Sequence, residues 1–119
     1  MITRIGQMEL WSRSVICGPL VFISGQTANG CPQCTGISEQ AVEVLKRIDE
    51  QLRLAGSARS NLVSVTIYLR DIGHFGAMNE IWKDWIIPGC LPARTTVQAS
   101  LAKPDLLVEI SAVAALIDQ

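Results

Sequence analysis

The residues best suited to chemistry in this chain are an arginine and a glutamate. The segment Pro92-Ala93-Arg94-Thr95-Thr96-Val97 sets a guanidinium at the mouth of a strand, and Val108-Glu109-Ile110 sets a carboxylate inside the next one. Arginine is the natural receptor for a small carboxylate, because its planar fork matches two oxygens and keeps its charge. A lone Glu in an apolar strand is costly unless it is paired, hydrogen-bonded or employed. Together they suggest a pocket for a small carboxylic acid with an acid or base beside it. The one histidine, His74, begins a predicted helix and reads as exposed and non-catalytic. Ser24 and Thr96 have no adjacent base in sequence, so a nucleophilic triad is not expected.

Three further residues are candidates. Gly25, in Ser24-Gly25-Gln26, ends a strand, where it is either a plain turn residue or a point at which a ligand approaches the backbone. Asn79 interrupts the apolar side of a helix; it either bonds a loop or faces the site. Trp11 walls a pocket or fills the core. Alternation puts Arg94, Thr96, Gln98 and Ser100 on one strand face and Thr95, Val97, Ala99 and Leu101 on the other. The polar face is expected to point away from the helix-packed core. Glu109 shares a face with Leu107, Ser111 and Val113. A plain hairpin turning near Lys103-Pro104 sets Arg94 opposite residue 113 or 114. Glu109 then lies about 15 Å along the strand, at about 3.3 Å per residue. The two meet only through another sheet order or across a subunit boundary, or not at all.

The elements that must position these residues follow from periodicity. Leu10 to Ile16 and Leu20 to Ser24, split by Gly18-Pro19, read as a hairpin, and Gly25 to Gly36 as a surface loop. Ala41, Val44, Leu45, Ile48, Leu52 and Ala55 recur at helical spacing from about Ser38 to Ala55, with Gly56 as the capping glycine. Leu62 to Leu69 is a strand and Phe75 to Ile86 a second helix, with Phe75, Met78, Trp82, Trp85 and Ile86 on one side and Pro88-Gly89 at its end. Thr95 to Leu101 and Leu106 to Leu116 are the last two strands. The order β-β-α-β-α-β-β predicts a two-layer α+β fold, one mixed sheet with both helices on one face. Ile23, Val65, Ile67, Val97, Val108, Ile110 and Val113 are too many apolar residues for one covered face, so the second face is expected to pack against another subunit.

At 119 residues the chain reads as a single domain, 1–119, long enough for a core without metal or disulfides. Apolar residues make up 49% and mean hydropathy is +0.30, yet no apolar run reaches the roughly 18 residues of a membrane span. A formal net charge of −1 without a Lys/Arg cluster makes neither nucleic acid nor a membrane an expected partner. Met1 to Val15 lacks the apolar core of a signal peptide, so a cytoplasmic setting is the default. In that setting the four cysteines, Cys17, Cys31, Cys34 and Cys90, are expected as free thiols. For Cys31-Pro32-Gln33-Cys34 a reversible disulfide is the second reading and a metal site the remotest, since it would need further ligands.

Taken together, Ser24-Gly25-Gln26, Leu54-Ala55-Gly56, Val65 to Asp71, Phe75-Gly76-Ala77-Met78-Asn79, Pro92 to Val97 and Val108-Glu109-Ile110 resemble the Rid (YjgF, reactive intermediate deaminase) family over nearly the whole chain. The resemblance implies a chorismate-mutase-like fold and a homotrimer with sites in the clefts between subunits. It also implies that the last strand lies between the Leu62–Leu69 strand and the N-terminal hairpin. The implied reaction is hydrolysis of imine or enamine acids, such as 2-aminoacrylate, to 2-keto acids and ammonia, with no cofactor and no metal. Carried over by position, Arg94 binds the substrate carboxylate and Glu109 positions the water. Gly25, Ser24, Asn79, Trp11 and Thr96 line the cleft. Thr96 stands where archetypal members often have Cys, and Trp11 where they have Tyr. Two other readings are a pathway-specific relative acting on a larger acid, as in 2-aminomuconate deamination or secondary metabolism, and a non-catalytic ligand-binding or chaperone-like trimer, redox-responsive through Cys31 and Cys34.

Overall fold

The helical spacing from Ala41 to Ala55 is realised in α1 (Ile37–Ala55), whose apolar stripe is buried while Glu39, Lys46, Glu50 and Arg53 stay exposed. At its start the Gly36 N–H donates to Glu39 Oε1 at 3.0 Å. At its end Gly56 takes the left-handed conformation, φ 84°, that glycine accepts most readily. The computed structural model describes residues 1–117, so the last two residues of the expected domain lie outside the described part.

The strands are β1 (Ile2–Gln7), β2 (Ser12–Cys17), β3 (Leu20–Gln26), β4 (Leu62–Leu69), β5 (Ala93–Gln98) and β6 (Val108–Ala115); the second helix, α2 (Phe75–Trp85), connects β4 to β5. They form one sheet in the order β1-β2-β3-β6-β4-β5. Only β4 and β5 run parallel; the other neighbours are antiparallel. β6 therefore sits between β3 and β4, as the family resemblance implied, and β5 and β6 are not a hairpin. β1 was not anticipated. It is an outer strand with five of six residues exposed, so it carries little burial pattern to read.

Val21, Ile23, Val65, Ile67, Leu69, Val108, Ile110 and Ala112 are buried, together with the stripe of α1 and with Met78 of α2. This corrects one premise. Of the seven apolar strand residues thought too many for a single covered face, Ile23, Val65, Ile67, Val108 and Ile110 are all buried on the helix side. Val97 and Val113 lie on the other face with Phe22, which is 44% exposed. No helix among the described residues is long and apolar enough to cross a membrane.

The loop from 99 to 107 replaces the expected hairpin turn and fixes the start of β6. Arg70 donates from Nε to the Leu106 carbonyl at 2.8 Å and from Nη2 to the Lys103 carbonyl at 2.6 Å. Gln40, buried on α1, donates to the Asp105 carbonyl at 2.8 Å and accepts from the Leu107 N–H at 2.8 Å. These bonds to loop carbonyls and to the Leu107 amide, most of them part-buried, tie the loop to the end of β4 and to α1.

Candidate functional site

Pairing decides which face each candidate occupies, since residues paired across neighbouring strands project to the same side. Arg94 pairs with Val65, which is buried beneath the helices. Glu109 pairs with Tyr68, three residues further along β4, on the opposite side. Within one chain, then, Arg94 and Glu109 stand two strands apart on opposite faces of the sheet. The expected alternation holds, but the faces are the reverse of those expected. Arg94 and Thr96 point to the helix side, because β5 is an outer strand roofed by α2.

Beneath α2 the guanidinium is held from three directions. Arg94 Nη2 donates to Asn79 Oδ1 at 2.6 Å, and its Cζ lies 5.7 Å from the Phe75 ring centre and 5.2 Å from that of Trp82. Partial burial pulls its pKa below the ordinary arginine value, yet an arginine remains charged at neutral pH. Asn79 thus does not bond a loop; it faces Arg94 and orients it. One bond to Asn79 uses a single N–H of the five, leaving donors for a carboxylate. Thr96 Oγ1, two residues along the same face, is buried without a hydrogen-bond partner. The sequence places Phe75 and Trp82 only on one side of a helix; their approach to an arginine depends on the sheet order and has no local signal.

Trp11, Ser24, Gly25 and Glu109 come together in a different place. With Thr27, Asn29, Ala102, Lys103 and Leu106 they line a cleft of about 410 Å³. A Cβ on Gly25 would fall on the Glu109 carboxylate oxygen, and within 2.8 Å of its Cδ and 3.1 Å of its Cγ. The glycine is therefore required for space rather than for a turn. Among the described residues Glu109, half-buried, has no hydrogen-bond or ion-pair partner. A carboxylate drawn partly out of water and left unpaired has its acceptor sites free for a ligand or water. Ser24 Oγ donates to the Ser12 carbonyl at 2.6 Å, so its hydroxyl ties β3 to β2. Trp11, 57% exposed, is a wall and not a core residue.

The far rim is built by the loop after β3. Arg47 Nη1 donates to the Thr27 and Asn29 carbonyls at 2.9 and 2.8 Å, and Glu43 holds Arg47 at 2.7 Å. Lys103 Nζ meets Asn29 Oδ1 at 2.7 Å across the cleft. Thr27, Asn29 and Lys103 were hidden in segments that read only as loop. Further along this loop Cys31 and Cys34 form a disulfide, which corrects the expectation of free thiols there. The compartment argument gave way to geometry: a turn bonded from the Cys34 N–H to the Cys31 carbonyl holds the Cα atoms 5.4 Å apart, inside disulfide range. Cys17 and Cys90 are free.

A family profile described as Endoribonuclease L-PSP matches residues 1–116. The RutC family protein YoaB of Escherichia coli K12 is 37% identical over 115 residues, spanning 97% of this chain and 98% of its own. The 2-iminobutanoate/2-iminopropanoate deaminase of Rattus norvegicus is 34% identical over 108 residues, spanning 87% and 78%. In three dimensions the chain is similar to NMB1025 of Neisseria meningitidis, a member of the YjgF family, with a TM-score of 0.95 and 34% identity over 100% of this chain and 98% of that one.

Proposed function

From the premise that this chain belongs to the Endoribonuclease L-PSP family, the YjgF/Rid family, we propose that it hydrolyses imine or enamine forms of small 2-keto acids to the keto acid and ammonia. The working unit is a homotrimer of single-domain chains, and each site takes Arg94 from one copy and Glu109 from another. Arg94, oriented by Asn79, grips the substrate carboxylate through its remaining N–H groups. Glu109 accepts a hydrogen bond from the attacking water and takes its proton as oxygen adds to the imine carbon. The same carboxyl gives that proton to the nitrogen, which completes a carbinolamine; it then carries the new hydroxyl's proton to the same nitrogen, and the C–N bond breaks to release ammonia as the carbonyl forms. Such a substrate is already electrophilic, so orienting it beside one activated water supplies most of the required rate.

The observation that carries this reading is the unpaired Glu109 carboxylate lying against a glycine in an open cleft. Support for the substrate class comes from relatives named 2-iminobutanoate/2-iminopropanoate deaminase in rat and mouse. The cross-copy arrangement is favoured by the opposite faces of Arg94 and Glu109 and by the position of β5 at the free edge of the sheet. The family description also carries an endoribonuclease name. Ten Lys and Arg against eleven Asp and Glu give the chain no excess of cations for a phosphate backbone.

A pyridoxal-phosphate dehydratase that releases 2-aminoacrylate, coupled to keto-acid detection, tests the proposal. Wild-type protein is expected to accelerate keto-acid formation above the uncatalysed rate. Gly25→Ala is expected to fold with a stability change within about 1 kcal/mol, since the clashing atoms belong to a long side chain that can swing away. The same swing removes the carboxylate from its water, and kcat falls about 100-fold. A Gly25→Ala protein with wild-type kcat would separate Glu109's position from the chemistry.

A further inference from the structure

The disulfide loop carries more than a crosslink. Cys31 Sγ, Cys34 Sγ and a Glu43 carboxylate oxygen lie within 4.8 Å of one another, and all three residues are half-buried. They line an open depression of about 390 Å³ on the flank of α1, together with Ser38, Glu39 and Val42. Two cysteines separated by two residues are the chelating pair of zinc sites. Here the Cys34 N–H already bonds the Cys31 carbonyl at 3.1 Å, so both side chains leave one tight turn. The third donor comes from a rigid helix rather than from the loop. Glu43 is oriented there by Arg47, which bonds its Oε2, leaving the other carboxylate oxygen available.

We propose that, once reduced, this turn is a binding site for a thiophilic divalent cation such as Zn²⁺, held by Cys31, Cys34 and Glu43 with water in the fourth position. A dithiol reductant breaks the Cys31–Cys34 S–S bond. Two electrons and two protons pass to the sulfurs, and the dithiol leaves as its own disulfide. Cation binding then releases the two thiol protons to solvent and leaves two thiolates and a carboxylate on the metal. Two sulfurs and one oxygen in a tetrahedral set suit Zn²⁺ or Co²⁺ and disfavour Mg²⁺ and Ca²⁺, which take oxygen donors. The disulfide and the cation exclude each other, so the site is loaded only under reducing conditions. Its ligand Glu43 also holds Arg47, which bonds the Thr27 and Asn29 carbonyls on the rim of the main cleft. Glu43 thereby joins the site to the rim of the main cleft through Arg47.

The test counts thiols and then titrates metal. The folded oxidised protein is expected to show two thiols per chain, from Cys17 and Cys90. A phosphine reductant, which takes up the oxygen of one water as it delivers the electron pair, is expected to raise the count to four without unfolding. Co²⁺ added to the reduced protein should then bind at one per chain with a thiolate charge-transfer band, and Zn²⁺ should displace it. Cys31→Ser and Cys34→Ser should each weaken binding at least about 100-fold and Glu43→Gln about 10-fold, while Cys17→Ser and Cys90→Ser leave it unchanged. Three outcomes overturn the proposal: a count that stays at two while the protein is folded, a reduced protein without the charge-transfer band, or Glu43→Gln binding as tightly as wild type.

Discussion

Arg94→Ala is expected to lower kcat/KM for a 2-iminopropanoate-type substrate by about 1,000-fold, with the proposed oligomer intact. Truncating one partner of a buried, hydrogen-bonded charge pair costs about 2–5 kcal/mol, and every 1.4 kcal/mol is tenfold. The loss falls on both KM and kcat, because the carboxylate grip fixes where the imine carbon sits relative to the water. Arg94→Lys keeps the charge but loses the fork and the flat face between the Phe75 and Trp82 rings. It is expected to recover only a small part of the lost activity. The change in stability is modest, about 1–2 kcal/mol for Arg94→Ala, since one hydrogen bond to Asn79 and two ring contacts are lost at a half-buried position. Steady-state kinetics with size-exclusion chromatography on the same samples checks both halves. A variant that keeps more than about a tenth of wild-type kcat/KM would remove Arg94 from the substrate-binding role.

Glu109→Gln should act differently. The amide keeps nearly the same shape and leaves room against Gly25, so KM is expected to stay within about threefold while kcat falls about 1,000-fold. A group kept unpaired for a ligand is also a group the fold does not need. Thermal unfolding is therefore expected to show Glu109→Gln as stable as wild type or slightly more so. A fall in KM-dependent binding with kcat preserved would make Glu109 a contact residue and not the proton carrier.

The residues explain how far the sequence could be read. α1 was legible end to end, because its stripe and its capping glycine are both local signals and tertiary packing agreed with them. The identity of Arg94 and Glu109 as candidates was also legible, since an arginine after a Pro turn and a carboxylate in an apolar strand stand out by type alone. Their placement was not. Alternation states which residues share a face, and no local rule says which face a helix will cover. For β5 that depended on α2 returning over an outer strand and offering Asn79 to the guanidinium. β1 escaped notice because an outer strand that buries almost nothing has no hydrophobic alternation, and Gly6, at φ 63°, interrupts what there is. The order of strands, with β6 between β3 and β4, rests on contacts distant in the chain and became accessible only through family resemblance.

The account turns on whether Arg94 and Glu109 of different copies build one site, and a complementation experiment tests that most directly. Arg94→Ala and Glu109→Gln chains, each inactive alone, are co-expressed in equal amounts and purified as mixed oligomers carrying two different tags. Where each site draws Arg94 from one copy and Glu109 from its neighbour, every mixed trimer, of either composition, has both native residues at about one site in three. Keto-acid formation from 2-aminoacrylate is then expected to return to about a third of the wild-type rate. Mixed oligomers that stay as inactive as their parents would contradict the shared site.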